Sequence, residues 1–578
     1  MELFVSSIAA PSLTGYSGIF STRAMRLAAP AVVITLLSVL LQVHLRTGDD
    51  VSWLITASEK ALAGQIPYVD FFEPNPPASL MLYVPSVFLA HLLGVAPEFM
   101  VSFVGFAAIF GSLALCATIL ARANLLDDIG MLGGAIALAT LMLLPGHAFD
   151  ERDHLAAIAG LPFFALLAAG ATRTPIAWPL IVAAGIGAGA MASIKPPYAL
   201  AAIAPLPYLA WRIGWRPLFG LCEYYVAAAT GLLYIVVTIV VFPGFAANML
   251  PMVMAIYVPV RESPLHLMFD LGPTLWYTLF ACVLLTARRR ALEPAIAIPL
   301  LASLGALASY FIQAKGWSYQ LFPALAFLLI AMGNALGERK RDVRLIIASA
   351  ACCLCTAAVT IALARAPLFL LAGSTIVFAL LFSLAQRRWP EAAPRADGLP
   401  IAELLAASAF GIAFAMFYFE GLPQPILERA LARLGPHPTV LAISESLALG
   451  HPLTREAGGV WVQSVPSLWV TGAALGLIKR SGDDPELKRK LEPFIQWDHD
   501  RLVADIKRSK PDAILVGKIG TRLYDQLWFD PEIMEARANY QFYAANDDPE
   551  WPAALYVRKD LIGLRSSLDA DAASPPKP

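Results

Sequence analysis

The sequence predicts a polytopic α-helical membrane protein with about thirteen transmembrane helices, followed by a C-terminal extracytoplasmic α/β domain. Three observations carry this prediction. The 578-residue chain is 58% hydrophobic and only 15% charged, with a mean hydropathy of +0.64, far above the level of a water-soluble domain. Apolar runs of near-span length recur from Leu27 to Phe419, and a backbone in hydrocarbon must satisfy its hydrogen bonds within each helix. Near Glu420 the composition changes abruptly to charged stretches and short apolar runs.

Residues 1–26 are expected in the cytoplasm. The apolar stretch after Arg23 and Arg26 is about as long as a span and lacks a small-residue cleavage site, so it reads as the first membrane helix and not as a signal peptide. The expected spans are 27–45, 97–121, 129–145, 155–171, 176–193, 197–212, 220–242, 272–287, 293–313, 319–336, 344–364, 366–386 and 401–420, a membrane domain of 27–421. With the N-terminus inside, sixteen lysines and arginines fall in cytoplasmic loops and seven in the opposite short loops. This positive-inside asymmetry predicts a multi-pass protein of the cell (inner) membrane, periplasmic on its functional side if the host is Gram-negative. The net charge of −1 offers nothing to nucleic acid. The six cysteines all lie in apolar runs, where a thiol is a small hydrophobe, and they form no disulfide framework or zinc spacing.

The first extracytoplasmic loop, 46–96, is too long for a simple connection. Residues 50–62 read as an amphipathic helix, and 76–93 as a second that lies in the interface or dips into the membrane without crossing, since counting the latter as a span would invert every later loop. In the soluble domain, 422–571, a charged helix is expected over 483–508 and buried strands at 439–443, 513–516 and 554–557. The Pro-rich tail, 572–578, reads as disordered.

Ionisable residues held at a membrane boundary cost free energy, so clusters of them are candidates for function. Four lie on one predicted face: Gly48-Asp49-Asp50; the stretch from Pro67 to Pro77 with Tyr68, Asp70, Glu73 and Asn75; Asp150 to His154; and the motifs Lys195-Pro196-Pro197-Tyr198 and Lys315-Gly316-Trp317-Ser318-Tyr319. Convergence of acids, bases and aromatics on one face is what an active site at the membrane surface requires.

Gly48-Asp49-Asp50, the helix ending in Ala63-Gly64-Gln65-Ile66-Pro67-Tyr68, Asp70-Phe71-Phe72-Glu73 and Pro76-Pro77 together resemble the first extracytoplasmic loop of the polytopic GT-C glycosyltransferases. That superfamily contains the protein mannosyltransferases and the lipid A aminoarabinose transferases. The resemblance implies inverting transfer of a sugar from a polyprenyl-phosphate donor to a glycan, lipid or protein acceptor, with Asp49 or Asp50 as general base. The chemistry is reasonable on its own terms, because a carboxylate in hydrogen-bond reach takes the acceptor's proton as the glycosidic bond forms. Arg152, His154, Lys195 and Lys315 then become candidates for the donor phosphate, and Tyr68, Asp70, Glu73, Asn75, Trp317 and Tyr319 for positioning substrate. Many relatives carry a lysine before the paired prolines where this chain has Asn75.

Each candidate also has a structural reading. Asp50 can cap the amphipathic helix, the lysines can snorkel, and Trp317 and Tyr319 can belong to an interfacial aromatic belt. Asp70 and Glu73 are spaced to hold a divalent cation or to tie down a rigid proline loop. The loop 242–272, with Arg261, Glu262 and His266, reads as a lid, and Asp498-His499-Asp500 as a solvated helix face. Two rival functions are a transporter or flippase of lipid-linked sugars and a non-catalytic scaffold with a glycan-binding domain. The first is disfavoured by the long structured loop, the lack of a visible repeat and the few charges deep in the spans.

Overall fold

The computed structural model describes residues 19–337, 349, 351–359, 400–418, 424–517, 522–546 and 552–562, with side chains from residue 29 onward. Helices occupy eleven of the thirteen expected spans, the 197–212 span as broken short helices; of 344–364 the described residues, 349 and 351–359, are helical, and 366–386 lies outside the described residues. By length and composition, five described helices can cross a membrane: Pro97–Arg122, Arg152–Ala171, Trp215–Val241, Pro294–Gln313 and Ser318–Leu336. Counting a bent pair as one span raises this to six.

Small residues let the helices approach closely, as expected where lipid supplies no hydrophobic drive between them. A Cβ at Gly185 or Gly189 of Trp178–Ile194 would meet the carbonyl oxygens of Glu223 and Ala227, in Cys222–Val241, at 2.9 and 2.7 Å.

The chain leaves the first helix, Ile19–Leu45, through Arg46 at φ 65° and an extended Gly48, then turns by 78° into Asp49–Leu62. This second helix was expected to be amphipathic. Instead every residue from Val51 to Ser58 is buried, because the C-terminal domain covers the face that membrane helices leave open. The expected helix over 76–93 is two pieces, Ala78–Met81 and Val84–Leu93, with Pro85 starting the second.

The C-terminal domain is built on a five-stranded sheet of β1 (Thr439–Ile443), β2 (Val460–Trp461), β3 (Ala513–Gly517), β4 (Tyr540–Ala545) and β5 (Ala553–Arg558) in the order β2-β1-β3-β5-β4. β1 is parallel to β2 and β3, whereas β5 is antiparallel to β3 and β4. Alternate residues of β1 serve opposite faces. Leu441 and Ile443 join a core with helices Trp469–Arg480 and Pro485–Ser509, while Val440 and Ala442 join one with Val51, Trp53, Leu54 and Ile55. The sheet therefore rests directly on the helix that begins at Asp49.

The segment read as a lid is helical over Phe245–Tyr257, and Phe245, Met249, Met252 and Ile256 are buried in the same core as Leu441. These four side chains pack that part of the segment against the C-terminal domain, while Leu250 and Met254 stay exposed. Asp498 is not on a solvated face. It is buried and accepts from the Thr471 amide and hydroxyl at 3.1 and 2.7 Å, while the side chain of Asp500 stays 63% exposed.

Candidate active site at the first loop

Gly48 lets the first loop meet the residues before Asp150. A Cβ there would lie 2.7 Å from the His147 carbonyl oxygen, so only glycine permits this approach. The contact brings Asp49 and Asp50, at the positive end of their helix, beside a second helix start at Arg152. Arg152 Nη2 donates to Asp50 Oδ2 at 2.8 Å and Nη1 to Ser79 Oγ at 3.4 Å. The charges of Glu73 and Asp153 also act on this guanidinium.

Asp49 is held differently. Its Oδ1 accepts from the Asp50 amide at 3.0 Å, and no cation pairs with it among the described residues. Burial, then the neighbouring Asp50 carboxylate, pushes its carboxyl up to about 7. A carboxylate with that proton affinity is far better suited to accept a proton near neutrality than an ordinary one.

A second group of residues closes the cluster. Lys195 Nζ donates to Asp153 Oδ2 at 2.6 Å, and Tyr198 donates its hydroxyl to the other oxygen of the same carboxylate. Lys195 Nζ also sits 5.0 Å from the centre of the Tyr319 ring, which stacks on Trp317 at 5.8 Å. Lys315 donates to the carbonyls of Tyr257 and Val260 and lies 3.9 Å from the Tyr257 ring centre. Burial pulls the Lys195 ammonium down and the Lys315 ammonium down to about 8.

Not every candidate converges. His154 is fully buried, with Nδ1 accepting from the Asp150 amide at 3.0 Å and Nε2 donating to the Leu141 carbonyl at 2.8 Å. Both nitrogens are committed to backbone. Asp70 is exposed and accepts from the Ile66 amide at 2.7 Å, whereas Glu73 is buried and accepts from Trp53 Nε1 and the Asn75 amide. The two carboxylates spaced for a cation thus serve separate loop contacts, and among the described residues no group of three or more His, Cys, Asp or Glu could hold a metal ion. Burial raises the proton affinity of Glu73. Tyr68, at φ 66°, spends its hydroxyl on the Asn75 carbonyl at 2.9 Å.

Comparison with solved structures places the fold in a known architecture. Two crystal structures of ArnT from Cupriavidus metallidurans, one bound to undecaprenyl phosphate and one in the apo state, each superpose with a TM-score of 0.52 at 16% sequence identity. They cover 92% and 93% of this chain, and this chain covers 97% and 98% of them. The chain has the ArnT fold. At this identity the likeness is one of architecture, running through the membrane helices and the C-terminal sheet domain alike. No protein-family model matches the chain, and no curated protein does either.

Within this ArnT-like architecture the structure adds residues that sequence reasoning passed over. Trp53 ties Glu73 to the helix of Asp49 and Asp50, and Asp153 with Tyr198 holds Lys195. Tyr257 carries Lys315 and senses the charges of Arg152, Asp50, Asp153 and Glu73. Asp153 and Tyr198 stood within the quoted motifs. Trp53 and Tyr257 carried no local signal, since each depends on a partner distant in sequence.

Proposed function

We propose that the chain is a glycosyltransferase that moves a sugar from a polyprenyl-phosphate donor to an extracytoplasmic acceptor, a cell-envelope glycan, lipid or protein, with inversion at the anomeric carbon. The observation that carries this reading is the meeting of the Asp49-Asp50 pair with Arg152 and Lys195 at one end of an ArnT-like fold. The ArnT structure bound to undecaprenyl phosphate supports a phosphorylated polyprenyl carrier as the donor's leaving group.

In this reading Asp49 is the general base. Its carboxylate takes the proton from the acceptor hydroxyl as the acceptor oxygen bonds to the anomeric carbon. The bond from that carbon to the phosphate oxygen breaks on the opposite face, and its electron pair leaves with the polyprenyl phosphate. A single displacement of this kind inverts the centre. Asp50 holds Arg152, and Arg152, Lys195 and Lys315 receive the charge that grows on the phosphate. Trp317 and Tyr319 offer aromatic faces to a sugar. Glu73 and Asn75 shape the loop, and His154 orients the Asp150 turn instead of meeting phosphate. The orientation follows the arginine asymmetry: an inner-membrane protein with residues 46–96 and the domain 422–571 in the periplasm.

The test is transfer by purified protein in nanodiscs, given radiolabelled polyprenyl-phosphate sugars and extracted envelope acceptors. Label should move to an acceptor with release of polyprenyl phosphate, and the product anomer should be opposite to the donor's. Vectorial movement of intact donor across sealed vesicles without transfer would instead establish the flippase.

A further inference from the structure

Outside the cluster, a short segment of the C-terminal domain, His451 to Glu456, touches the Asp49 helix, the start of Pro97–Arg122 and Arg46 at the end of the first helix. Arg455 Nη1 and Nη2 grip Glu59 at 2.6 and 3.0 Å, Nη1 reaches Thr56 Oγ1 at 3.3 Å, and Nε donates to Glu98 at 2.6 Å. Thr56 and Glu59 stand two and nearly three turns along the helix that starts with Asp49. Glu98 opens Pro97–Arg122, the helix whose Gly105 makes room for the Asp150 carboxylate. One guanidinium thus joins the helix of the carboxylate pair to the helix that seats the neighbouring turn.

Two further contacts of the segment act in the same direction. His451 lies between Trp461, 4.6 Å away, and Trp53, 5.4 Å away, so the indole that donates to Glu73 is braced from the sheet side. Glu456 and Glu428 both accept from Arg46 Nη1, at 2.7 and 3.0 Å, where the first helix breaks ahead of Gly48. Helix geometry explains why such remote contacts matter. Positions 49, 52, 56 and 59 share one face, so a roll of the helix that frees Glu59 also turns the Asp49 carboxylate.

We propose that Arg455 is a positioning residue, through which the C-terminal domain sets the rotation and depth of the Asp49–Leu62 helix and so aims the Asp49 carboxylate. This rests on the transfer reading above. A bidentate guanidinium–carboxylate fork fixes geometry that a lysine's single ammonium cannot. Displacement of a reacting group by an ångström costs on the order of 10²-fold in rate.

The experiment compares wild type, Asp49→Asn, Arg455→Lys, Arg455→Gln, Arg455→Glu and the charge exchange Arg455→Glu with Glu59→Arg, all as full-length protein in nanodiscs. Arg455→Gln should lower kcat by on the order of 10²-fold with donor KM nearly unchanged, Arg455→Lys should recover only part, and the exchange should recover more than Arg455→Glu alone. Amide hydrogen exchange over residues 49–58 should quicken in Arg455→Gln. Folded Arg455→Gln with wild-type kcat, while Asp49→Asn is inactive, overturns the positioning role and leaves the transfer reading intact. Wild type without transfer activity overturns that reading, and unchanged exchange over 49–58 in Arg455→Gln then overturns the positioning role as well.

Discussion

Arg152 and Asp50 meet at 2.8 Å across 102 residues of sequence, with the guanidinium only 4% and the carboxylate 20% exposed. Removing one partner of such a pair strands the other's charge, and the guanidinium is held further by Ser79 and by the charges of Glu73 and Asp153. The pair marks the place where the first loop and the Arg152–Ala171 helix become one site.

Replacing Arg152 should therefore do two kinds of damage. Arg152→Lys keeps the charge but loses the second arm, and donor binding should weaken with kcat also reduced. Arg152→Ala should leave Asp50 buried without its partner and cost about 3–5 kcal/mol. Thermal unfolding in detergent, read beside donor KM, separates the two effects.

The pH profile follows from Asp49 and Lys315. A base must be deprotonated, so kcat/KM should rise as pH increases through about 7, where Asp49 loses its proton. A cation for phosphate must stay protonated, so kcat/KM should fall again as pH rises through about 8, where Lys315 loses its own. Lys315→Arg should retain the rising limb and abolish the fall. A flat profile from pH 6 to pH 9 would remove both assignments.

Lys195 and Asp153 form the most enclosed pair of the site, with side chains 11% and 1% exposed. Lys195→Met should destabilise the protein by about 3–5 kcal/mol by stranding the Asp153 carboxylate. Adding Asp153→Asn should return most of that stability without returning activity, as judged by melting temperature and transfer assayed together.

Gly48→Ala places a methyl against the His147 carbonyl oxygen. The loop has to withdraw from the Asp150 turn, and activity should drop by on the order of 10²-fold at near-normal expression. A crystal structure of the variant should show Asp50 separated from Arg152.

Elements with a strong local signature were legible in the sequence. β1 coincides with the predicted 439–443, an apolar run closed by Pro438 and Ser444, and the Asp49–Leu62 helix starts one residue before its prediction. Its environment was not legible. The helix read as amphipathic, but the strands that cover Val51, Trp53, Leu54 and Ile55 lie some 400 residues and more away in sequence, and the Thr56 and Ser58 hydroxyls turn back onto their own helix carbonyls. Charged neighbours hid the burial of Asp498 in the same way. At the site, the motifs of the first loop and of Asp150 to His154 are brought together by the fold, whereas partners such as Trp53 for Glu73 and Tyr257 for Lys315 exist only in three dimensions.

The most direct test of the account is sugar transfer from a radiolabelled polyprenyl-phosphate donor by wild type, Asp49→Asn and Asp50→Asn at equal expression. General-base loss predicts that Asp49→Asn falls by about 10²–10⁴-fold with donor still bound, while Asp50→Asn, which keeps the base but loosens Arg152, is weakened mainly in donor KM. Full transfer by Asp49→Asn would contradict the assignment of the base, and full transfer by the double variant would take the first loop out of the chemistry.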